Sequence, residues 1–208
     1  MALQIETVPC RSDNYAYLAH DPHTEATAVI DVPEAGPILT ALADRGWNAT
    51  LVLLTHHHAD HVEGLSELLA AHPAEVAGAA ADAHRLPPLD LALKEGDPVM
   101  IGDERGKVID VSGHTVGHIA FYFADSQVAF TADSLMALGC GRVFEGTMPQ
   151  MWESLQKLAK LPPDTLICSG HEYTAKNARF AVTVDPENAA LISRKERVDT
   201  EREAGRPT

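Results

Sequence analysis

The 208-residue sequence predicts an α/β fold in which helices cover the faces of β-sheets. Three observations carry that expectation. Short β-branched or alternating runs, broken by turn residues, recur through the first two-thirds of the chain. Segments with helical apolar spacing fall between them and after them. Leu51–Leu54 is an uninterrupted apolar run, as a strand buried on both faces requires. Strands and helices in such a mixed order stack as layers around one core. A chain of this length makes one domain, or one with a small appendage, and buries about 70% of its unfolded surface.

The elements follow in order. Leu3–Val8, Tyr15–Ala19 and Ala28–Val32 read as strands, the last closed by Pro33-Glu34-Ala35-Gly36. Ile38–Arg45 has one apolar face and stops at Gly46, as an amphipathic helix does. After strand Leu51–Leu54, Glu63–Ala71 reads as a helix and Glu75–Ala80 as a strand. Further strands are expected at Val99–Ile101, Lys107–Val111, Ile119–Phe123 and Val128–Thr131. A glycine-rich loop, Gly139–Gly146, then leads to a helix over Gln150–Leu161, a strand over Thr165–Ser169 and a helix from Tyr173. The charged tail, Ser193–Thr208, has little apolar periodicity and reads as a solvated helix end or frayed terminus.

Composition narrows the function. Hydrophobic residues at 45% and charged residues at 22% are those of a globular protein rather than a disordered one. Sixteen basic against 30 acidic residues give a net charge of −14, which argues against nucleic acid as a partner because phosphate neutralisation needs a dense basic face. Cys10, Cys140 and Cys168 form neither a disulfide framework nor a CxxC pair, so reduced thiols are expected. The first residues lack a basic segment followed by an apolar run, and no stretch approaches the roughly 18 apolar residues of a membrane span. A cytoplasmic location without membrane attachment is the resulting expectation. Eleven histidines are the one count that points to chemistry.

Thr55-His56-His57-His58-Ala59-Asp60-His61 directly follows the apolar strand. Imidazoles and a carboxylate at this spacing, on a loop leaving a strand, can converge on a divalent metal of borderline softness. His114, Asp133 and His171 also stand at the ends of expected strands. Polar side chains at one end of successive core strands are how a site is assembled on a layered sheet.

Five segments carry a family resemblance over about Ile5–Ser193: THHHADH (Thr55–His61), SGHTVGH (Ser112–His118), FTADSL (Phe130–Leu135), GCGRVFEGT (Gly139–Thr147) and GHEYT (Gly170–Thr174). The arrangement resembles the metallo-β-lactamase superfamily and, within it, the glyoxalase II (hydroxyacylglutathione hydrolase) family. The first segment points only to the superfamily, whereas the glycine-rich segment followed by GHEYT is far more specific. The resemblance implies a four-layer αββα sandwich with the site at one edge of both sheets. It implies one ion on His56, His58 and His114, a second on Asp60, His61 and His171, and Asp133 bridging them with a water or hydroxide. The ions would be zinc first, with iron or manganese also accepted by this donor set. Asp60 and Asp133 would be the catalytic carboxylates alongside that hydroxide, and Arg142, Phe144 and Tyr173 would hold the substrate. His57 would be a neighbour rather than a ligand and His118 a supporting residue, while His20, His23, His72 and His84 fall in no motif.

The implied reaction is hydrolysis of S-D-lactoylglutathione to glutathione and D-lactate, by a monomer, through attack of metal-bound hydroxide on the thioester carbonyl. Residues 1–175 would form the catalytic domain and 176–208 a C-terminal helical segment, shortened relative to the family and so expected to weaken glutathione binding. Family members often carry Tyr where Phe144 stands. The competing readings are a persulfide dioxygenase-like enzyme with one iron and a non-enzymatic metal-binding protein of the same fold. Presence of all three second-ion candidates, Asp60, His61 and His171, argues against the mono-iron case.

Overall fold

Alternation along a single strand sets the layering. In β9 (Ile119–Phe123), Ile119, Phe121 and Phe123 join the main core, whereas Ala120 and Tyr122 pack in a second, smaller cluster with Leu158. Successive side chains of a strand point to opposite faces, so this strand has apolar material on both sides. The same holds for β8 (Glu104–Asp110), where Val108 faces the main core and Ile109 the smaller cluster.

The computed structural model describes residues 2–208. A six-stranded sheet runs in order β1 (Gln4–Cys10), β2 (Asn14–His20), β3 (Thr27–Ile30), β4 (Ala49–Leu53), β5 (Glu75–Ala79) and β6 (Leu91–Leu93). Its first three strands are antiparallel, and β3 to β6 are parallel. A five-stranded sheet has the order β11 (Leu166–Ser169), β10 (Val128–Ala132), β9, β8 and β7 (Pro98–Ile101), antiparallel except for the β10–β11 pair. Leu18, Val29 and Leu53 of the first sheet share the main core with Phe121, Phe123 and Phe130 of the second.

Helices close the outer faces. Ile38 and Leu42 of α1 (Ala35–Arg45), one turn apart, are buried with Leu65 and Leu68 of α3 (Leu65–Ala71) in the same core as the first sheet. Leu158 of α4 (Met148–Leu158) covers the second sheet. Helix, sheet, sheet and helix therefore stack as the four layers that the family resemblance implies. The sheets are also stitched at one end: the Tyr15 amide donates to the Gly170 carbonyl at 2.9 Å, and the Tyr17 hydroxyl to the Ser169 carbonyl at 2.7 Å.

Four local features differ from the sequence expectation. The helix expected over 63–71 starts at Leu65 as α3, and a further short helix, α2 (Ala59–Val62), precedes it with Gly64 between them. Gly64 lies so close to the Glu34–Ala35 backbone that a Cβ would stand 2.7 Å from the Ala35 nitrogen. The fourth helix begins at Met148 because Thr147 and Gln150 form a reciprocal capping box. Strand β6, three residues at a sheet edge, is too short to leave a pattern. The tail is helical to Glu203 as α6 (Ala189–Glu203), which packs against α5 (Thr174–Val184) and buries Val198. No described helix is long and apolar enough to cross a membrane.

Phe121 is fully buried between the sheets. Phe121→Ala should cost about 3–5 kcal/mol in urea unfolding through the cavity it leaves. A loss below about 1 kcal/mol would show that the inter-sheet core does not hold the layers together.

Candidate metal centre

Each strand that ends at the site edge delivers a side chain there. Asp31 follows β3 in a left-handed conformation (φ 56°) and turns its carboxylate toward the end of β4. The Thr55 amide and hydroxyl both donate to it at 2.8 Å. Because the Thr55 hydroxyl gives its proton to Asp31, His56 Nδ1–H donates to Thr55 Oγ1 at 3.0 Å and leaves its Nε2 with a free lone pair. Asp31 also takes His61 Nδ1–H at 2.8 Å, so His61 Nε2 is likewise free. His114 Nδ1 donates to the Arg142 carbonyl at 2.7 Å, and His171 Nδ1 to Asp13 at 3.1 Å. Four imidazoles are thus held in the tautomer that turns Nε2 inward, as metal-binding histidines require.

Those inward atoms converge in two groups. His56 Nε2 and His114 Nε2 each lie 3.1 Å from His58 Nδ1. Ions bonded tetrahedrally at 2.0–2.1 Å hold their nitrogens about 3.3 Å apart, so this trio has the spacing of an ion's coordination shell. Asp60, His61 and His171 make the second group, with His171 Nε2 3.5 Å from Asp60 Oδ2. Asp133 stands between them: one oxygen is 3.4 Å from both His114 and His171, and the other 3.5 Å from His61. His61 Nε2 and Asp133 Oδ1 are buried without a hydrogen-bond partner. Two buried polar atoms without a hydrogen-bond partner, facing one gap beside converging imidazole nitrogens, suit a bound cation.

Electrostatics divides the two groups. Burial pushes His56 well below the ordinary imidazole value, with His61 and His118 adding to the effect. Burial likewise lowers His58 and His114. The first trio is therefore neutral and ready to donate. Burial also acts to lower His61 and His171, but Asp31 outweighs it at His61 and Asp133 outweighs it at His171, which rises to about 9. Burial would raise Asp133, yet its bond with His171 and the charge of His61 hold it well below the usual carboxylate range. Cations entering here displace protons from the second group.

Two irregularities make the fit possible. The β10–β11 register shifts between Phe130 and Ala132, and Ala132 adopts a left-handed conformation (φ 42°), which turns Asp133 inward. Gly170 passes so near that a Cβ would lie 2.3 Å from Asp133 Oδ1 and 2.8 Å from His61. Any larger residue would push a candidate ligand aside.

All seven ligand candidates from the sequence thus meet in one place. His57 points away, its Nδ1 2.8 Å from Asp82, and His118 lies stacked beneath His56 at 4.6 Å. The three expected substrate residues border a cavity of about 600 Å³ opening over the site. Phe144 is 62% exposed and meets His58 and His114 edge-on, while Tyr173 stacks on His171 at 4.8 Å. Sequence reasoning missed Asp31, Asp13 and Asn14, whose amide donates to Asp60 at 3.1 Å. Asp31 carries a signal like that of Asp133, an acid after an apolar run; Asp13 and Asn14 sit where an ordinary polar turn meets a strand and carry no signal.

A profile described as the Metallo-beta-lactamase superfamily matches residues 13–171, and one described as Hydroxyacylglutathione hydrolase C-terminus matches 172–208. A hydroxyacylglutathione hydrolase of Cereibacter sphaeroides is 65% identical over all 208 residues, which span 82% of that protein's length. The chain belongs to the hydroxyacylglutathione hydrolase family of the metallo-β-lactamase superfamily. Among solved structures, the BLEG-1 B3 metallo-β-lactamase shares the fold at TM-score 0.75 and 21% identity, over 81% of this chain and 91% of its own. A protein crystallised in a di-iron-bound form, TTHA1623, aligns at TM-score 0.67 and 28% identity, over 79% of this chain and 90% of its own. The fold and the His/Asp clusters support divalent metal ions at this edge.

Asp31 holds two elements of the centre without being free to ligate, since Thr55 and His61 already occupy its oxygens. Asp31→Ala should weaken metal binding about 10–100-fold, as loss of an orienting partner does. Competition with a chelator measures this; unchanged affinity would mean that Asp31 does not orient the ligands.

Proposed function

We propose that the chain is a dinuclear, metal-dependent thioester hydrolase that converts S-D-lactoylglutathione and water to glutathione and D-lactate. The observation that carries the reading is the pair of donor groups joined through Asp133, in a chain 65% identical to a hydroxyacylglutathione hydrolase. His56, His58 and His114 would hold one ion, Asp60, His61 and His171 the other, and Asp133 both. Zinc is the ion we assign, because nitrogen and carboxylate donors in small tetrahedral groups suit it. Presence of every second-ion donor favours two ions over a mono-iron centre. We also assign a monomer in a reducing cytoplasm, the latter because the three thiols are free.

When bound, the ions lower the pKa of water toward neutrality and polarise the carbonyl of the substrate. The protein supplies the rest. Asn14 fixes the Asp60 carboxylate, which would orient the attacking water. Arg142 offers a cation to the carboxylates of the tripeptide, and Tyr173 and Phe144 present ring faces and edges beside the metal-site imidazoles. Phe144 gives this contact no hydroxyl. The leaving group is a thiolate with a free pKa of about 8.5, so it departs without a strong acid from the protein.

The test is hydrolysis of S-D-lactoylglutathione by purified protein with elemental analysis of the same sample. Two ions per chain and turnover are expected, and Asp133→Ala should lose both together. One ion per chain in fully loaded, active protein would overturn the dinuclear arrangement, and no turnover by loaded protein would overturn the reading itself.

A further inference from the structure

The cavity over the metal centre carries a second cation, Lys176, which belongs to none of the sequence segments that define the family resemblance. Its placement follows from α5. Thr174 and Ala178, four residues apart, are buried and pin one face of the helix to the protein. Lys176, half a turn from each, faces away from that packing and onto the cavity wall. Asn177 secures the turn by donating to the Ala137 carbonyl at 3.0 Å. The Lys176 ammonium lies 5.2 Å from the centre of the Tyr173 ring, which itself stacks on His171. A cation over an aromatic face is held by the ring quadrupole while its outer side stays free for an anion.

Nearby cations are already used. Arg85 is paired with Glu145 and Arg202 with Glu172, whereas neither Arg142 nor Lys176 takes part in an ion pair among the described residues. Both line the cavity that also carries Asp60 and Asp133, and neither is neutralised by a salt bridge there. We propose that Lys176 is a second anion-binding residue of the cavity, sharing with Arg142 the two carboxylates of a glutathione thioester. This rests on the thioester hydrolase reading. It makes the pocket selective for acyl groups carried on an anionic thiol, because a neutral thioester gains nothing from either cation. It also gives the approaching substrate a favourable local field that the chain as a whole does not supply.

The test compares wild type with Lys176→Met, which keeps the stem and removes the charge, and with Lys176→Arg. Calorimetric titration with glutathione should show binding weakened about tenfold in Lys176→Met and largely restored in Lys176→Arg. KM for S-D-lactoylglutathione should rise by a similar factor, with kcat changed less than about twofold. The neutral S-lactoyl thioester of N-acetylcysteamine should be hydrolysed equally well by wild type and Lys176→Met. Unchanged glutathione binding in Lys176→Met would overturn the proposal. So would an equal loss on the neutral thioester, which would make Lys176 a support for Tyr173 and His171 instead. If loaded wild type hydrolyses neither thioester, the hydrolase reading fails, and the glutathione titration still decides the role of Lys176.

Discussion

A buried carboxylate, Asp133, facing three imidazoles from three separate segments, is the constraint that the rest of the molecule satisfies. It lies within 3.5 Å of His61, His114 and His171 yet leaves one oxygen without a hydrogen-bond partner. Burying a charge in this way is costly unless it is compensated. The compensation comes from both sheets: His61 follows β4, His114 follows β8 and His171 follows β11. The four-layer sandwich is therefore more than a scaffold carrying a site. Its two sheets must hold their ends in register to a few tenths of an ångström for these groups to meet.

That register is maintained by groups that never face the cavity. Asp31, Asp13 and the Thr55 hydroxyl oxygen accept the Nδ1–H bonds that fix imidazole tautomers, and the Arg142 carbonyl does the same for His114. Arg142 thereby ties two functions together: its backbone orients a metal-site histidine while its side chain lines the substrate cavity. Movement of the 139–147 loop would disturb both. Arg85 braces that loop by binding both oxygens of Glu145, one of which also accepts the Val116 amide. Tyr173 plays the corresponding part on the opposite wall, stacked on His171.

Much of this was legible in the sequence, for physical reasons that can be named. The buried strand Leu51–Leu54 announced itself as an apolar run, and the histidines after it are dense enough to mark a metal-binding loop without any structure. His114, Asp133 and His171 were visible because each closes a strand, a position defined by local pattern. Asp13 and Asn14 were invisible because their role depends on β2 meeting β11 across the two sheets, a contact between residues some 157 positions apart. The tail was misleading for a related reason. Helix α6 packs on α5 but fully buries only Val198, and one buried position leaves no periodicity to read. That the Phe144 ring is exposed beside His58 and His114 is shown only by the packing.

A site of converging, partly orphaned acceptors is a local instability until cations enter it. The folded chain brings these lone pairs together and the unfolded chain does not, so metal binding and folding are coupled by mass action. The most direct measurement is thermal unfolding of metal-loaded protein against the same protein after verified chelation. With free metal a hundredfold above its dissociation constant, each ion should add about 2.7 kcal/mol, so chelation should lower the melting temperature by several degrees. An unchanged melting temperature after complete metal removal would contradict the account, because it would mean that the carboxylate and imidazoles at the sheet ends are at ease without the ions they were argued to require.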